Sequence, residues 1–474
     1  MDLMPNGGAL TPFLRNGGYD TDSTTERRIV MSRYFGKRRL SSFQIILRGF
    51  AAVILVGTLL LMLPVSSRAG CRTRVGDALF TAVSAVCVTG LVVRDTAMTW
   101  SAFGQAVILV LIQIGGLGIV SLATAAASAS GRKISLLQRS VLQESISADQ
   151  VGGIVQMTRF VVTAAFAAEL LGAAAMMPAF CSEFGAEGIW MAVFHSVSAF
   201  CNAGFDIMGD KTGAFSSLTY FSGSAGIVFP VCLLIVIGGS GFLTWNDLAK
   251  NRFRWKRCRM QTKVVIVTSA VLIAVPAAVL FLRDYSSFPL KERICLSVFQ
   301  AVTPRTAGFN TADMNSMTSA GRAITVVLML IGGSPGSTAG GIKTTTFAVL
   351  LANAAAVVHR RSSPQMFGRR IEDDTVKTAA TLLTMYLFLA LAGACVISAA
   401  DGYPIEACLF EAVSAIGTVG LSMGITPFLG GLSRCVLIGL MFFGRVGGLT
   451  LMYAALGSTR AETGRCPAEK INVG

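Results

Sequence analysis

One short pattern decides the fold of this chain, and its first copy reads Phe80-Thr81-Ala82-Val83-Ser84, with Gly90 six residues after the serine. The same pattern, Phe-x-x-Val followed by Ser or Thr and then by a glycine five or six residues later, occurs three more times. These copies begin at Phe194, Phe299 and Phe410, and their glycines are Gly204, Gly308 and Gly420. The glycines are 114, 104 and 112 residues apart. Because chance rarely repeats a pattern at so regular a period, the chain contains four internal repeats.

The composition places these repeats in a membrane. Of the 474 residues, 53% are apolar and only 14% are charged, whereas soluble domains carry about 25% charged residues. This deficit excludes a disordered chain and argues against a soluble multidomain enzyme. The net charge of +15 suits either nucleic-acid binding or membrane topology, and the basic residues punctuate long apolar runs, which favours topology. With only two histidines, the chain has little material for histidine-based metal or triad chemistry.

Eight apolar runs are long enough to cross a bilayer, which takes about 20 residues of helix. They cover residues 43–65, 103–127, 155–180, 221–245, 263–283, 321–353, 375–400 and 432–456, and the sixth is interrupted. The repeated pattern lies on shorter apolar runs at 77–88, 189–201, 294–304 and 405–416, which are too short to cross. Each repeat is therefore predicted to contain a membrane span, a re-entrant pore helix, a turn with the glycine, and a second span. This order predicts an all-α integral membrane protein with eight transmembrane helices, in which four parallel repeats surround a central pore.

Loop charge predicts the orientation, because cytoplasmic loops are enriched in Lys and Arg. The loops 128–159, 247–263 and 359–377 contain 16 basic and 6 acidic residues, whereas the segments on the opposite side contain 11 and 12. The first side and both termini are therefore expected in the cytoplasm. The predicted division is a cytoplasmic arm 1–41, repeat 1 at 42–130, a loop with repeat 2 at 131–248, a loop with repeat 3 at 249–358, a loop with repeat 4 at 359–457, and a cytoplasmic tail 458–474.

The glycine turns carry the predicted ion site. Backbone carbonyls directed toward an axis can replace the hydration shell of a cation, and glycine permits the backbone conformation that this requires. The C-terminal ends of the pore helices add partial negative charge. No carboxylate lies in the turns, which disfavours calcium. The predicted filter residues are Val88, Thr89, Gly90, Asn202, Ala203, Gly204, Thr306, Ala307, Gly308, Thr418, Val419 and Gly420.

The interruption of the sixth run is the second candidate site. It reads Gly332-Gly333-Ser334-Pro335-Gly336-Ser337-Thr338-Ala339-Gly340-Gly341, and neither its glycines nor its proline can continue a stable helix. A mobile intramembrane loop, a passive kink and a phosphate-binding loop are three interpretations. The last is disfavoured because Ile342 separates Gly341 from Lys343 and no strand precedes the loop. Arg445 lies within the last run, where a charge is expensive and is usually functional or paired.

These pore segments resemble those of the Trk/Ktr/HKT superfamily of potassium transporters, and with eight spans the chain is similar to a Ktr-type membrane subunit. The resemblance extends over residues 42–456 and includes two further phrases, Gln113-Ile114-Gly115-Gly116-Leu117-Gly118 and Arg305-Thr306-Ala307-Gly308-Phe309-Asn310. It implies potassium at the four-glycine filter and a gate formed by the 332–342 loop with Lys343 and Arg445. It also implies sodium dependence, a homodimer, and a soluble ring-forming, nucleotide-binding regulatory subunit.

The function expected from the resemblance is potassium uptake across the bacterial plasma membrane through a potassium-channel-like pore. The alternative is a conventional secondary transporter for another cation or small solute, which parallel repeats disfavour. The sequence contains no constellation typical of an enzyme, and we expect no cofactor on the chain and no nucleic-acid partner. Potassium is the expected transported ion, with sodium as a second candidate. The basic segment Lys250–Lys263 suits either the regulatory ring or anionic membrane lipid.

Overall fold

The computed structural model describes residues 42–130, 134–146, 152–448 and 450–452. In these ranges the chain is helical apart from turns, loops and one antiparallel hairpin of strands Gln365–Met366 (β1) and Arg369–Arg370 (β2). The helices of nine residues or more in the described part are α1 Ser42–Leu61, α2 Val75–Val86, α3 Ala102–Leu117, α4 Ile119–Ala129, α5 Leu136–Ile146, α6 Ile154–Phe184, α7 Glu187–Phe200, α8 Ala225–Gly239, α9 Phe242–Lys250, α10 Met260–Leu282, α11 Leu290–Val302, α12 Ser319–Leu330, α13 Thr344–Val358, α14 Asp373–Asp401, α15 Ile405–Gly417 and α16 Gly431–Val446.

The first span of every repeat is one long helix. Helices α1, α6, α10 and α14 contain 20, 31, 23 and 29 residues, and each is long and apolar enough to cross a membrane. They expose large apolar side chains, among them Leu55, Leu170 and Phe388. Apolar surface exposed along a whole helix suits lipid rather than water.

The repeated pattern lies on four short helices, α2, α7, α11 and α15. They contain 12 to 14 residues, which corresponds to about 18–21 Å of helix and is too short to cross. The phenylalanine that opens each copy of the pattern is at most 1% exposed and anchors the pore helix in the core. The pattern thus specifies both the packing of the pore helix and the turn that follows it.

Acidic residues at the start of three of the pore helices join neighbouring repeats. Each pore helix has one acidic residue in its first turn, where the helix dipole favours negative charge; the four are Asp77, Glu187, Glu292 and Glu406. Ser222 of repeat 2 donates to Glu292 at 2.8 Å, and Arg322 of repeat 3 donates to Glu406 at 3.1 Å. Arg434 of repeat 4 donates to Asp77 of repeat 1 at 2.9 Å. Together with a hydrogen bond from Arg68 of repeat 1 to Asp210 of repeat 2 at 2.9 Å, these contacts connect the four repeats in a ring.

The second spans differ from the expectation, because all four are broken and not only the sixth run. Helices α3 and α4 meet at 93°, and helices α8 and α9 meet at 90°. The bends lie at Gly118 and Gly241, and α16 ends in the same way before Gly447; these glycines have φ between 84° and 91°. The sequence indicated an interruption only in the sixth run, whereas in the described part the runs at 103–127 and 221–245 are bent and the helix in the run at 432–456 ends at Val446. The count of eight spans stays a prediction, since four helices and two bent pairs in the described part have the length and composition of a span.

Two of the predicted segments, the arm 1–41 and the tail 458–474, lie outside the described residues. The boundaries between the repeats also stay predictions. Within the described part, however, the order of first span, pore helix, turn and broken second span occurs four times.

Candidate functional site

The four glycines of the repeated pattern meet at one place. An ideal Cβ atom built on any of them would lie 2.9–3.2 Å from the Cα atom of the glycine in a neighbouring repeat, which is too close for a real side chain. The same Cβ would also collide with the carbonyl oxygen that precedes that glycine. The contacts run from Gly90 to Gly204, from Gly204 to Gly308, from Gly308 to Gly420, and from Gly420 back to Gly90. The turns thus form a closed ring in which only glycine fits.

The turns share an unusual backbone conformation. The first residue of each turn is left-handed although it is not glycine, with φ of 56° at Val88, 59° at Asn202, 67° at Thr306 and 52° at Thr418. Such residues are strained and persist only where the surroundings hold them. All twelve predicted filter residues are buried, apart from the half-buried Gly420. Backbone hydrogen bonds from the turns to the ends of the pore helices supply part of the support, such as Thr89 N to Ser84 O at 2.8 Å.

The Ser or Thr that ends the repeated pattern supplies the rest. Ser84 Oγ accepts a hydrogen bond from Gly90 N at 3.1 Å, and Ser414 Oγ accepts one from Gly420 N at 3.0 Å. In the other two repeats the hydroxyl donates instead to the carbonyl of the residue after the glycine. These bonds are Ser198 Oγ to Phe205 O at 2.8 Å and Thr303 Oγ1 to Phe309 O at 2.7 Å. In every repeat, the hydroxyl group that ends the pattern therefore stabilises the turn through a hydrogen bond, which explains why Ser or Thr occupies this position.

A mouth opens on one side of the ring of glycines. A cavity of about 170 Å³ is lined by the four glycines together with polar residues that include Asp95, Asp206, Asn310 and Ser422. Of the three aspartates that follow the turns in sequence, Asp95 and Asp206 line this cavity. Asp313 instead caps a single helical turn by accepting from Asn315 N at 3.0 Å. Sequence spacing alone did not distinguish among the three.

The charge of the mouth depends on Asp206. Burial raises the pKa of this carboxyl to about 7, the hydrogen bond from Met208 N opposes the increase, and the negative charge of Asp95 adds to it. Asp95 accepts hydrogen bonds from Met98 N at 2.9 Å and Phe215 N at 2.8 Å. The mouth thus contains two carboxyl groups that accept hydrogen bonds from backbone N–H groups, and the raised pKa of Asp206 makes its charge sensitive to pH near neutrality.

On the other side of the ring, the helix breaks follow a second repeated motif that the sequence reading missed. Three repeats read Ile114-Gly115-Gly116-Leu117-Gly118, Ile237-Gly238-Gly239-Ser240-Gly241 and Phe443-Gly444-Arg445-Val446-Gly447. Repeat 3 begins in the same way with Ile331-Gly332-Gly333-Ser334 and then inserts the predicted gate loop. The shared spacing of the glycines was the signal that could have revealed four breaks.

The first glycine of this motif lies where a larger residue would not fit. A Cβ on Gly115, Gly238 or Gly444 would collide with the carbonyl oxygen of Val86, Phe200 or Ile416, near the end of the pore helix in the same repeat. In repeat 3, a Cβ on Gly332 would lie 3.2 Å from the Thr306 methyl group. The breaks therefore pack directly against the bases of the filter turns, as expected for small residues at a close approach.

The predicted gate loop fills the space between the breaks and the turns. Its backbone is held by hydrogen bonds from Gly332 N to Ile342 O at 2.8 Å and from Ser334 N to Gly239 O at 2.9 Å. Ser334, Thr338 and Ala339 are at most 2% exposed. The loop is thus a packed element with defined partners, and no helix passes through it.

Two basic side chains hold this loop. The Arg445 guanidinium donates to the carbonyl oxygens of Thr338 in the loop and of Gly115 and Gly116 at the break of repeat 1. Lys343 Nζ donates to Ala339 O at 2.8 Å. Both side chains line one cavity of about 230 Å³ beside the four breaks. Arg445 occupies the position that is Gly116, Gly239 or Gly333 in the other repeats, and its described partners are carbonyl groups rather than a carboxylate.

Comparison with known proteins places these features in context. Residues 37–458 match the family model for TrkH, described as a cation transport protein. The chain is 39% identical to the potassium/sodium uptake protein NtpJ of Enterococcus hirae, over 92% of this chain and 98% of that protein. It is 35% identical to the Ktr system potassium uptake protein B of Bacillus subtilis, over 88% of this chain and 93% of that protein. These relatives are named as transport proteins and not as enzymes.

A solved structure supports the fold. The crystal structure of the potassium transporter TrkH from Vibrio parahaemolyticus superimposes with a TM-score of 0.70 at 20% sequence identity, covering 88% of this chain and 85% of that one. At this identity the match bears on the fold alone, and it confirms the predicted all-α membrane fold.

Proposed function

The chain belongs to the TrkH family of cation transport proteins, and on this premise we propose that it takes up potassium through the pore that its four repeats enclose. Membership agrees with the resemblance expected from the sequence, and it makes the chain a multi-pass membrane cation transporter. Potassium as the ion comes from the names of the relatives. The observation that carries the proposal is the closed ring of four glycines, each of which lies against the turn of a neighbouring repeat.

The ring is the proposed selectivity filter. Carbonyl groups of the buried turns Val88–Gly90, Asn202–Gly204, Thr306–Gly308 and Thr418–Gly420 would replace part of the hydration shell of potassium. The carboxylates in the outer mouth would raise the local concentration of cations before they enter. The conformation of the turns is set by buried hydrogen bonds, so the carbonyl positions need little rearrangement when an ion binds.

The loop 332–342, with Lys343 and Arg445, is the proposed gate. Arg445 joins the loop of repeat 3 to the break of repeat 1 and thereby bridges the space beside the breaks. A positive charge at this position opposes the passage of cations. Displacement of the loop together with the guanidinium would remove both the steric and the electrostatic barrier.

The remaining parts of the proposal concern partners and topology. NtpJ is named for potassium and sodium, and we extend sodium to this chain as a second ion. The name of the Ktr relative speaks of a system, and we propose a homodimer with a soluble ring-forming, nucleotide-binding regulatory subunit. Cytoplasmic termini, as expected from loop charge, would place the breaks and the gate on the cytoplasmic side of the filter.

Rubidium uptake tests the proposal in a bacterium that lacks its own potassium uptake systems. The wild-type protein should raise the initial rate above the empty strain, and Gly90→Ser should abolish the increase because the added side chain would enter the neighbouring turn. Gly439→Ala in α16 is the matched control, since a Cβ there meets open space. If the expressed wild-type protein gives no uptake, even with its regulatory subunit, the proposed function is wrong.

A further inference from the structure

Thr338 is the residue of the gate loop with hydrogen bonds to three other parts of the pore. Its N–H donates to Gly238 O at the break of repeat 2, at 3.2 Å. Its carbonyl oxygen accepts from Arg445 at the break of repeat 4. Its hydroxyl donates to Phe200 O at 3.2 Å and lies 3.4 Å from Asn202 Oδ1. The backbone of Thr338 therefore contacts the helix breaks and Arg445 of the proposed gate, whereas its side chain contacts the proposed filter.

The contact on the filter side is made with a strained and fully buried turn. Phe200 is the last residue of pore helix α7, and Asn202 is the left-handed first residue of the second turn. Thr338 and Asn202 are both 0% exposed. With the Asn202 amide turned over, its nitrogen would donate to Phe200 O at 3.3 Å, and this carbonyl would still be shared with the Thr338 hydroxyl. Either orientation joins Thr338, Phe200 and Asn202 in one buried group.

The other hydroxyl groups of the loop do not reach the filter. Ser337 Oγ donates to Ser334 O at 2.7 Å, within the loop, and Ser334 Oγ lies 3.1 Å from Thr344 Oγ1 at the start of α13. Gly332 and Gly340 of the loop also lie beside Thr306 and Thr418 of two other turns, since a Cβ built on either glycine would come within 3.2 Å of the threonine side chain, but a glycine has no side chain that could form a hydrogen bond. Thr338 thus provides the described side-chain hydrogen bond that connects the loop to a filter turn.

We propose that Thr338 is a positioning residue for ion selectivity: its hydroxyl holds the second filter turn in the potassium-selective shape while the loop is in place. This inference rests on the proposed filter and gate and adds a coupling between them. When the loop moves, Phe200 O at the end of the pore helix and the Asn202 side chain of the turn lose a buried hydrogen-bond donor, and the carbonyls of Asn202–Gly204 gain freedom. Selectivity then depends on the position of the loop, and not on the four turns alone.

The test compares Thr338→Val, which keeps the shape of the side chain but removes the hydroxyl, with Thr338→Ser, which keeps the hydroxyl. Initial rates of rubidium and sodium uptake are measured for each full-length variant in the same strain. The ratio of rubidium to sodium uptake should fall about fivefold in Thr338→Val, the factor that one ordinary hydrogen bond represents, and should be retained in Thr338→Ser. Thr384→Val is the matched control, because it removes a hydroxyl that donates to Ala380 O at 3.0 Å within α14, outside the proposed gate and filter, and its ratio should stay at the wild-type value.

A second measurement does not depend on flux. The melting temperature of purified protein should be higher in potassium chloride than in sodium chloride if the filter binds potassium better. In Thr338→Val, most of this difference in melting temperature should be lost. If the valine variant is not expressed, Thr338→Ala is measured in its place. An unchanged uptake ratio and an unchanged melting difference in Thr338→Val would overturn this inference but not the proposed function, as would an equal loss of ratio in Thr384→Val. Absence of rubidium uptake by the wild type would overturn the proposed function and this inference with it.

Discussion

The pore has two levels, and they differ in symmetry. The four glycine turns are close to equivalent, since each has a left-handed first residue, a glycine against its neighbour and a hydroxyl that supports it. The four helix breaks beneath them begin from one glycine motif but have diverged: repeats 1 and 2 keep a simple bend, repeat 3 inserts a loop, and repeat 4 carries Arg445. In the proposed function, ion coordination requires equivalent oxygen atoms around an axis, whereas an element from a single repeat is enough to block the path of the ion.

The support of the turns shows a smaller departure from symmetry. In repeats 1 and 4, Ser84 and Ser414 accept from the N–H of the filter glycine. In repeats 2 and 3, Ser198 and Thr303 donate to a carbonyl beyond the glycine. Repeats 2 and 3 also contain the first residues, Asn202 and Thr306, whose side chains hydrogen-bond to each other at 3.2 Å. The contact of the loop with the filter is made on this same side of the ring.

The largest effect should come from breaking the equivalence of the turns. Alanine at Gly90, Gly204, Gly308 or Gly420 should lower rubidium uptake at least tenfold and by similar factors, because the left-handed backbone alone costs an alanine roughly 1–2 kcal/mol before the clash with the next turn is counted. Initial uptake rates, corrected for the amount of protein in the membrane, measure this. A variant that kept wild-type uptake would show that its turn is not part of the filter.

The second largest effect should come from a substitution in repeat 4 that makes its helix break resemble those of the other repeats. Arg445→Gly restores in repeat 4 the residue found in the other three repeats and releases the loop from the break of repeat 1. Because hydrogen bonds from a charged group contribute ~1.5–3 kcal/mol, we expect the uptake rate to rise about tenfold. Arg445→Lys keeps the charge but not the forked geometry, and it should give a smaller increase. A rate at or below the wild-type value in a well-expressed Arg445→Gly protein would contradict the gating role.

The smallest effect should come from the outer mouth. Above its pKa of about 7, Asp206 is negative and attracts cations; below it, the carboxyl is neutral and the attraction is lost. Lowering the external pH from about 8 to 6 should therefore raise the apparent KM for rubidium roughly two- to threefold, the size expected for one unit charge in a watery site. Asp206→Asn should show the higher KM at both pH values. An equal pH response in the variant would assign the titration to another group.

Much of the proposed filter could be predicted from sequence. The pattern Phe-x-x-Val-Ser/Thr and its glycines are local signals, because pore helix, hydroxyl and turn lie within about a dozen residues of each other. Gly90 and its three counterparts could be located in this way, whereas their meeting at one place depends on how the repeats pack. The charge of Arg445 within an apolar run also marked it as exceptional before its partners were known.

The breaks and their contacts could not be predicted in the same way. An apolar run of about 25 residues has the same composition whether its helix is straight or bent, so hydropathy did not reveal the bends at Gly118 and Gly241. The partners of Arg445 include Gly115, 330 residues away, and the hydroxyl of Thr338 bonds to Phe200, 138 residues away. No local pattern encodes such pairs.

The sequence by itself determined a membrane protein with four repeats, four pore helices and four glycine turns, because each of these follows from the periodicity and polarity of neighbouring residues. Only the tertiary structure decided that Arg434 contacts Asp77 of the first repeat, that the second spans bend at Gly118 and Gly241, and that the Thr338 hydroxyl reaches Phe200 O at the end of a pore helix. These features depend on backbone groups from different repeats approaching within hydrogen-bonding distance. That proximity arises from how the repeats pack around the axis, and not from the order of residues within any one of them.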